Sequence, residues 1–128
     1  MIPRYRAWDK IHKTMYEVDD IMSVDFGKSE ISVKTLFFER TSRYDFNDIV
    51  LMQSTGFTDK NGKEIFEGDI LDSEDGFLAG VVELRQNLGM FVSTLIKCNN
   101  FERLCNVLDS TQIIGNVWEN PELLEVDS

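Results

Sequence analysis

The sequence predicts a mainly β fold: an N-terminal β-hairpin region followed by a C-terminal SH3-like β-barrel with one short helix. Three observations carry this expectation. Short runs rich in β-branched and aromatic residues recur along the chain with polar breaks between them, as strands do and long helices do not. Glycines 56, 62 and 68 fall in or beside such breaks, where tolerance of positive φ permits chain reversal. From residue 63 onward the order reads strand, strand, strand, short helix, strand, which suits a small, strongly bent barrel. The expected division is 1–62 and 63–128, the two together forming one compact unit.

Taken in order, Arg4–Trp8 predicts a strand that turns at Asp9-Lys10 into Lys13–Val18, with Met15 packing on Trp8. A period of two puts Arg4, Arg6 and Trp8 on one face. The expectation there is an edge strand with its guanidinium groups in water and its indole inward. Ile21–Phe26 and Ile31–Phe38 flank a polar connector, Gly27-Lys28-Ser29-Glu30, and predict a hairpin. Ile31, Val33, Thr35 and Phe37 share one face of its second strand. The crowding at Leu36-Phe37-Phe38 predicts burial on both sides, by the core or by a second subunit. Glu39–Asp45 is polar and reads as a loop, and Phe46–Gln53 as a buried run.

Asp59-Lys60-Asn61-Gly62 predicts a turn, Lys63–Phe66 a short extended piece, and Glu67-Gly68 a reversal into Asp69–Leu71. Asp69 is expected to accept backbone N–H bonds there. Asp72–Gly76 reads as a charged hairpin tip between strands, followed by Phe77–Arg85 and, after Gln86–Gly89, by Met90–Ile96. A helix is expected where Phe101, Leu104, Cys105 and Leu108 fall at i, i+3, i+4, i+7, capped by Asn99 or Asn100 with Glu102 in its first turn. Cys105 on that stripe is expected to be a small core residue. Gln112–Trp118 closes the sheet, and Pro121 suits the first turn of a helical tail.

Composition bounds the function. The formal net charge is −10, and it is unevenly placed. Residues 1–56 hold 8 Lys/Arg against 9 Asp/Glu, whereas residues 57–128 hold 5 against 14. A bulk electrostatic grip on nucleic acid needs clustered cations, so the acidic half opposes it, as it opposes an anionic membrane surface. No apolar stretch approaches the roughly 20 residues that span a bilayer, and the opening residues lack the apolar run of a secretory signal. Two cysteines, Cys98 and Cys105, imply no disulfide framework. The expectation is a soluble protein of the bacterial cytoplasm.

The glycine series fails two chemical tests. A phosphate loop needs glycines five apart, then Lys and a hydroxyl; Gly56 and Gly62 are six apart and Glu64 follows Lys63. A calcium loop with Gly62 at its sixth position would put Phe57 first and Gly68 last, where oxygen ligands are required. His12 is the sole histidine and has no zinc-like spacing with cysteine or carboxylate. It reads as a surface loop residue. Carboxylate pairs such as Asp19-Asp20, Asp45/Asp48 and Glu74-Asp75 read as solvated turns rather than acid–base pairs. No catalytic, cofactor-binding or metal-binding residues are expected.

Several stretches together are similar to the YopX family of phage and prophage proteins. They are Arg6-Ala7-Trp8-Asp9 with Met15-Tyr16, Leu51–Gly56, Asp59–Ile65, Glu67–Ile70, Gly80–Glu83, Ile114-Gly115-Asn116 and Glu119–Leu124. Phe66 stands where that family commonly shows tyrosine. The resemblance implies an SH3-like architecture in the C-terminal half, self-association and no enzymatic activity. It transfers no site residues. The function expected is therefore a non-enzymatic, self-assembling interaction module with a host or phage protein partner. The alternative is a nucleic-acid-associated accessory protein using Arg4, Arg6, Trp8, Arg40 and Arg43.

Overall fold

The computed structural model describes residues 4–34 and 41–125. The chain is mainly β, with twelve strands and one short helix among the described residues. It divides into two units, Met1–Gln53 and Ser54–Ser128.

In the first unit β1 (Tyr5–Asp9) pairs antiparallel with β2 (Thr14–Tyr16), and on its other side with the first half of β6 (Ile49–Thr58). Trp8 lies opposite Met15 in that register, as the sulfur–aromatic pairing predicts. β1 is thus an interior strand and not an edge. The consequence is that Arg6 is buried along with Ala7 and Trp8, instead of standing in water. A second sheet runs β3 (Ile21–Asp25), β4 (Glu30–Lys34), β5 (Thr41–Asp45) in that order. The hairpin between β3 and β4 forms as expected, but its left-handed residue is Ser29 at φ 54° and not Gly27. β5 replaces the described part, Thr41–Asp45, of the loop expected over Glu39–Asp45, while Glu39 and Arg40 lie outside the described residues. Its polar letters conceal an alternation, with Ser42 and Tyr44 half-buried and Thr41, Arg43 and Asp45 exposed. Ala7, Tyr16, Ile31, Val33 and Ile49 form the core of this unit, and Ile21, Val24, Tyr44, Phe46 and Leu51 pack on it. Leu36–Phe38 lies outside the described residues.

In the second unit the latter half of β6 pairs with β7 (Glu64–Phe66), with a register shift between Ser54 and Thr58 that brackets Gly56. Gly56 is therefore a bulge within a strand and not a chain reversal. The main sheet has the order β11-β10-β9-β8-β12, from β8 (Asp69–Asp72), β9 (Gly80–Arg85), β10 (Met90–Leu95), β11 (Phe101–Arg103) and β12 (Gln112–Asn116). Ile65, Leu71, Val82, Leu104 and Val107 form its core, each such side chain contributing roughly 1.5–3 kcal/mol through burial. Phe77 and Leu78 lie in the loop before β9, and Phe77 is strongly exposed.

The expected helix is cut short by strand pairing. Phe101, Glu102 and Arg103 lie opposite Thr94, Ser93 and Val92, and Arg85 sits over the Phe101 ring at 4.6 Å. Asn100 serves the turn into β11, its carbonyl accepting Leu95 N–H at 2.9 Å. Only Leu104–Val107 is helical (α1), and its buried residues are Leu104 and Val107. Cys105 faces outward and is exposed, as is Cys98. At the end of α1 the buried Thr111 hydroxyl donates to the Val107 carbonyl at 2.7 Å.

Two buried carboxylates fasten the second unit's turns. Asp69 Oδ2 accepts Phe66 N–H at 2.8 Å, the role expected of it. Asp59 Oδ1 accepts the N–H groups of Asn61 and Lys63, both at 2.9 Å, while Oδ2 accepts that of Ile113 at 2.9 Å. Gly62 at φ 81° supplies the left-handed step that lets Lys63 turn back onto Asp59. Gly80 answers a different demand: a Cβ there would meet Ser93 Oγ at 2.2 Å, so β9 and β10 approach closely only without a side chain.

Candidate functional site

Two features of the first unit hold the chemistry. The first begins at the end of β1, where the Asp9 carboxylate is fully buried although Lys10, Ile11, His12 and Lys13 are exposed. Its Oδ1 accepts the N–H groups of Ile11 at 2.9 Å and His12 at 3.0 Å, which closes the turn from β1 to β2. Lys13 completes that turn in the left-handed region at φ 52°. Oδ2 meets His12 Nδ1 at 2.8 Å and accepts the Tyr16 hydroxyl at 3.3 Å. The Tyr16 hydroxyl lies 3.2 Å from that of Tyr44. Since Tyr16 gives its one proton to Asp9, Tyr44 donates to Tyr16. The imidazole of His12 also meets the Tyr44 ring edge-on at 6.3 Å.

Burial pushes the Asp9 carboxyl up, but the hydrogen bonds from the His12 N–H and ring and from Ile11 N–H outweigh it and hold the group below its ordinary range. Burial is also the first cause raising the Tyr16 phenol well above its ordinary value, with the Tyr44 hydroxyl and the Asp9 charge adding to it. A carboxylate that orients an imidazole is one part of a nucleophilic-catalysis arrangement. Among the described residues no serine, threonine or cysteine side chain is hydrogen-bonded to that ring, and no group of three or more metal-ligating side chains occurs. The cluster pins a turn and sets the orientation of an exposed histidine. His12 stands on the surface, as the sequence predicts, and its contact with Asp9 is a feature the sequence expectation does not contain. The available signal was Asp9 three residues earlier, the spacing at which an aspartate caps a turn.

The second feature is a groove of about 630 Å³ lined by Arg4, Tyr5, Val18, Ile21, Met22, Ser23, Val24 and Phe26, within the roughly 300–1,000 Å³ range of ligand sites. Met22 and Phe26 are exposed at 59% and 61%. Phe26 stands in a ladder of three rings, edge-on to Tyr5 at 6.1 Å and to Phe46 at 5.8 Å. Both contacts have the edge-to-face geometry that aromatic pairs favour. Arg4 is the one charged side chain among the described lining residues.

The residues expected to serve a nucleic-acid surface are dispersed in their accessibility. Arg4 and Arg43 are exposed, Arg6 and Trp8 are buried, and Arg40 lies outside the described residues. The Trp8 indole is thus packed in the sheet and does not offer its face for base stacking. The carboxylate pairs do structural work where they are bonded. Asp45 Oδ1 accepts Asn47 N–H at 2.8 Å, Asp20 Oδ2 accepts Glu17 N–H at 3.1 Å, and Glu74 pairs with Lys60 at 3.1 Å. The apolar run Ile49–Met52 is used internally, with Ile49 and Met52 buried and Leu51 packed on the first core.

The family model described as YopX protein matches residues 4–125, almost the whole chain. This chain belongs to the YopX family. The crystal structure of protein EF1440 from Enterococcus faecalis is similar to it at 33% identity and a TM-score of 0.65, covering 98% of this chain and 99% of that one. The crystal structure of protein yopX from Bacillus subtilis shares the fold at 24% identity and a TM-score of 0.63, covering 95% and 98% respectively. No functionally curated protein matches the chain. No helix among the described residues of this YopX-family chain is long and apolar enough to cross a membrane.

Proposed function

We propose that this YopX-family chain is a non-enzymatic, self-assembling interaction module encoded by a phage or prophage and acting in the bacterial cytoplasm. The observation that carries the reading is the groove of the first unit, where Met22 and Phe26 stand largely in solvent beside Tyr5, Val18, Ile21 and Val24. Exposed apolar side chains gathered around one concavity are what a partner covers, whereas single scattered ones need no explanation. The Tyr5–Phe26–Phe46 ladder adds preorganisation, which lowers the cost of ordering an interface. A host or phage protein fits the same surface as a second copy does. For the second unit, the order β11-β10-β9-β8-β12 with its short helix supports reading it as a small SH3-like barrel.

Light scattering on the purified chain tests the assembly. A mass of two or more copies at micromolar concentration is expected, and a monomer across that range overturns the reading.

A further inference from the structure

We propose that the groove of the first unit receives an extended segment of a partner protein in which apolar and cationic residues alternate, added as a strand along β3. This rests on the reading of the groove as an interaction surface and names the chemistry of its occupant.

β3 lies at the edge of its sheet, whose order is β3-β4-β5, and its pairing among the described residues is with β4. Four consecutive β3 residues, Ile21, Met22, Ser23 and Val24, line the groove. Successive strand residues point to opposite faces, so a wall that uses all four follows the edge of the strand and not one face of the sheet. Val18 ahead of β3 and Phe26 behind it extend the lining. An edge strand offers its backbone to an extended segment, while pockets beside it take alternate side chains. The occupant is therefore extended and apolar at every second position.

The charge around the strand selects what stands between those apolar positions. Residues 17–30 hold Glu17, Asp19, Asp20, Asp25 and Glu30 against Lys28 alone, although residues 1–53 as a whole are almost balanced, with 8 Lys/Arg against 9 Asp/Glu. Asp19 and Asp20 fall between the lining residues Val18 and Ile21, and Asp25 between Val24 and Phe26. Carboxylates thus interleave with the apolar wall before and after its central residues. Asp19 and Asp25 are exposed. Asp20 Oδ2 accepts Glu17 N–H at 3.1 Å and Asp25 Oδ1 accepts Lys28 N–H at 3.0 Å, which places both groups, and a carboxylate has about four acceptor positions in all. Arg4 in the lining already has a partner of its own, and the choice of occupant does not depend on it. Pairing of β3 with β3 of a second copy would set these acids against one another, and like charges across a strand pair are destabilising. The charge therefore favours a partner protein, whose apolar side chains meet the wall while its lysines or arginines meet the acids.

Titration of an end-capped peptide alternating lysine and valine into the full chain, read at the Met22 methyl resonance, tests this. A saturable shift is expected, with a midpoint below about 1 mM. The same peptide with glutamate in place of lysine is expected not to bind, and so is the lysine peptide N-methylated at every residue, which offers no N–H to β3. D19N/D25N keeps an acceptor oxygen for the Lys28 turn and removes two charges. It is expected to weaken binding at least about fivefold, as added salt weakens binding to the native chain. Thermal unfolding reports whether the variant folds. A Met22 methyl that stays unmoved by the lysine peptide overturns the proposal. Equal binding of the glutamate peptide or by folded D19N/D25N overturns the cationic occupant, and equal binding of the N-methylated peptide overturns strand addition. A Met22 methyl that moves with protein concentration alone, and that the peptide does not displace, puts a second copy in the groove and overturns the partner segment. Light scattering without peptide decides self-association separately, so either reading can fail while the other stands.

Discussion

Ser93 is buried at 1% exposure and its hydroxyl has no hydrogen-bond partner among the described residues. A buried hydroxyl without a partner costs desolvation and returns nothing, so Ser93→Ala is expected to be neutral or to stabilise by up to about 1 kcal/mol in chemical denaturation. Asp59 is the opposite case. Burial raises its pKa, but the N–H groups of Ile113, Lys63 and Asn61, with the Lys63 charge, more than reverse that and hold the carboxyl below its ordinary value. A carboxylate depressed on folding contributes stability that is present above its unfolded pKa, near 4, and is lost as pH falls through the folded value. Asp59→Asn keeps the shape and removes the charge. It is expected to cost about 1–3 kcal/mol at pH 7 and to flatten the acid limb of a stability–pH curve below about pH 4. Tyr16 works on the alkaline side. Its raised pKa means stability is present below about pH 10 and declines above it as the unfolded phenol ionises first. In a spectrophotometric titration Tyr16 is expected to ionise well above the ordinary phenol value, and Tyr44→Phe to lower that resistance. At this scale little was legible in advance. Asp69 as a turn acceptor follows from its place beside Gly68, but the Asp59–Ile113 bond joins residues 54 positions apart and leaves no local trace.

The elements differ in how strongly local pattern governs them. The β3–β4 hairpin, the turns at Gly62 and Gly89 and the closing strand are legible because alternation and turn residues act over a few positions. β5 was not, because its buried face is made of Ser42 and Tyr44, which carry no apolar signature in a polar run. The helical stripe at Phe101–Leu108 misled for a related reason. Its period is real, but the backbone of Phe101–Arg103 gains more from completing the sheet beside β10 than from one further helical turn. Close approach of β9 and β10 gives the test at this scale. Gly80→Ala is expected to destabilise the second unit, because its Cβ would sit 2.2 Å from Ser93 Oγ. Combined with Ser93→Ala it meets only Thr94 O at 3.1 Å and Ser93 Cβ at 3.4 Å. A double-mutant cycle in denaturant is expected to show a favourable coupling of about 0.5–3 kcal/mol.

At the scale of the molecule, each unit has its own core, one around Ile31 and Val33 and the other around Leu71 and Leu104. Leu104→Ala leaves a cavity in the second and is expected to cost about 2–5 kcal/mol. Amide exchange is expected to quicken at Leu71 and Val82 while Ile31 and Val33 keep their protection. The family and the mainly β class were written in the sequence, because turn glycines, alternating runs and short motifs are properties of neighbouring residues. The spacing of the glycine series is likewise readable in the sequence, and it departs from that of phosphate and calcium loops because ligand spacing is local arithmetic. Tertiary structure alone decided that β1 is interior and buries Arg6 and Trp8, that Asp9 holds His12 and Tyr16, and that Met22 and Phe26 flank a groove. Each of these depends on which strands lie side by side. Strand partnership is set by the fit of whole faces across long loops, which no short window of sequence contains.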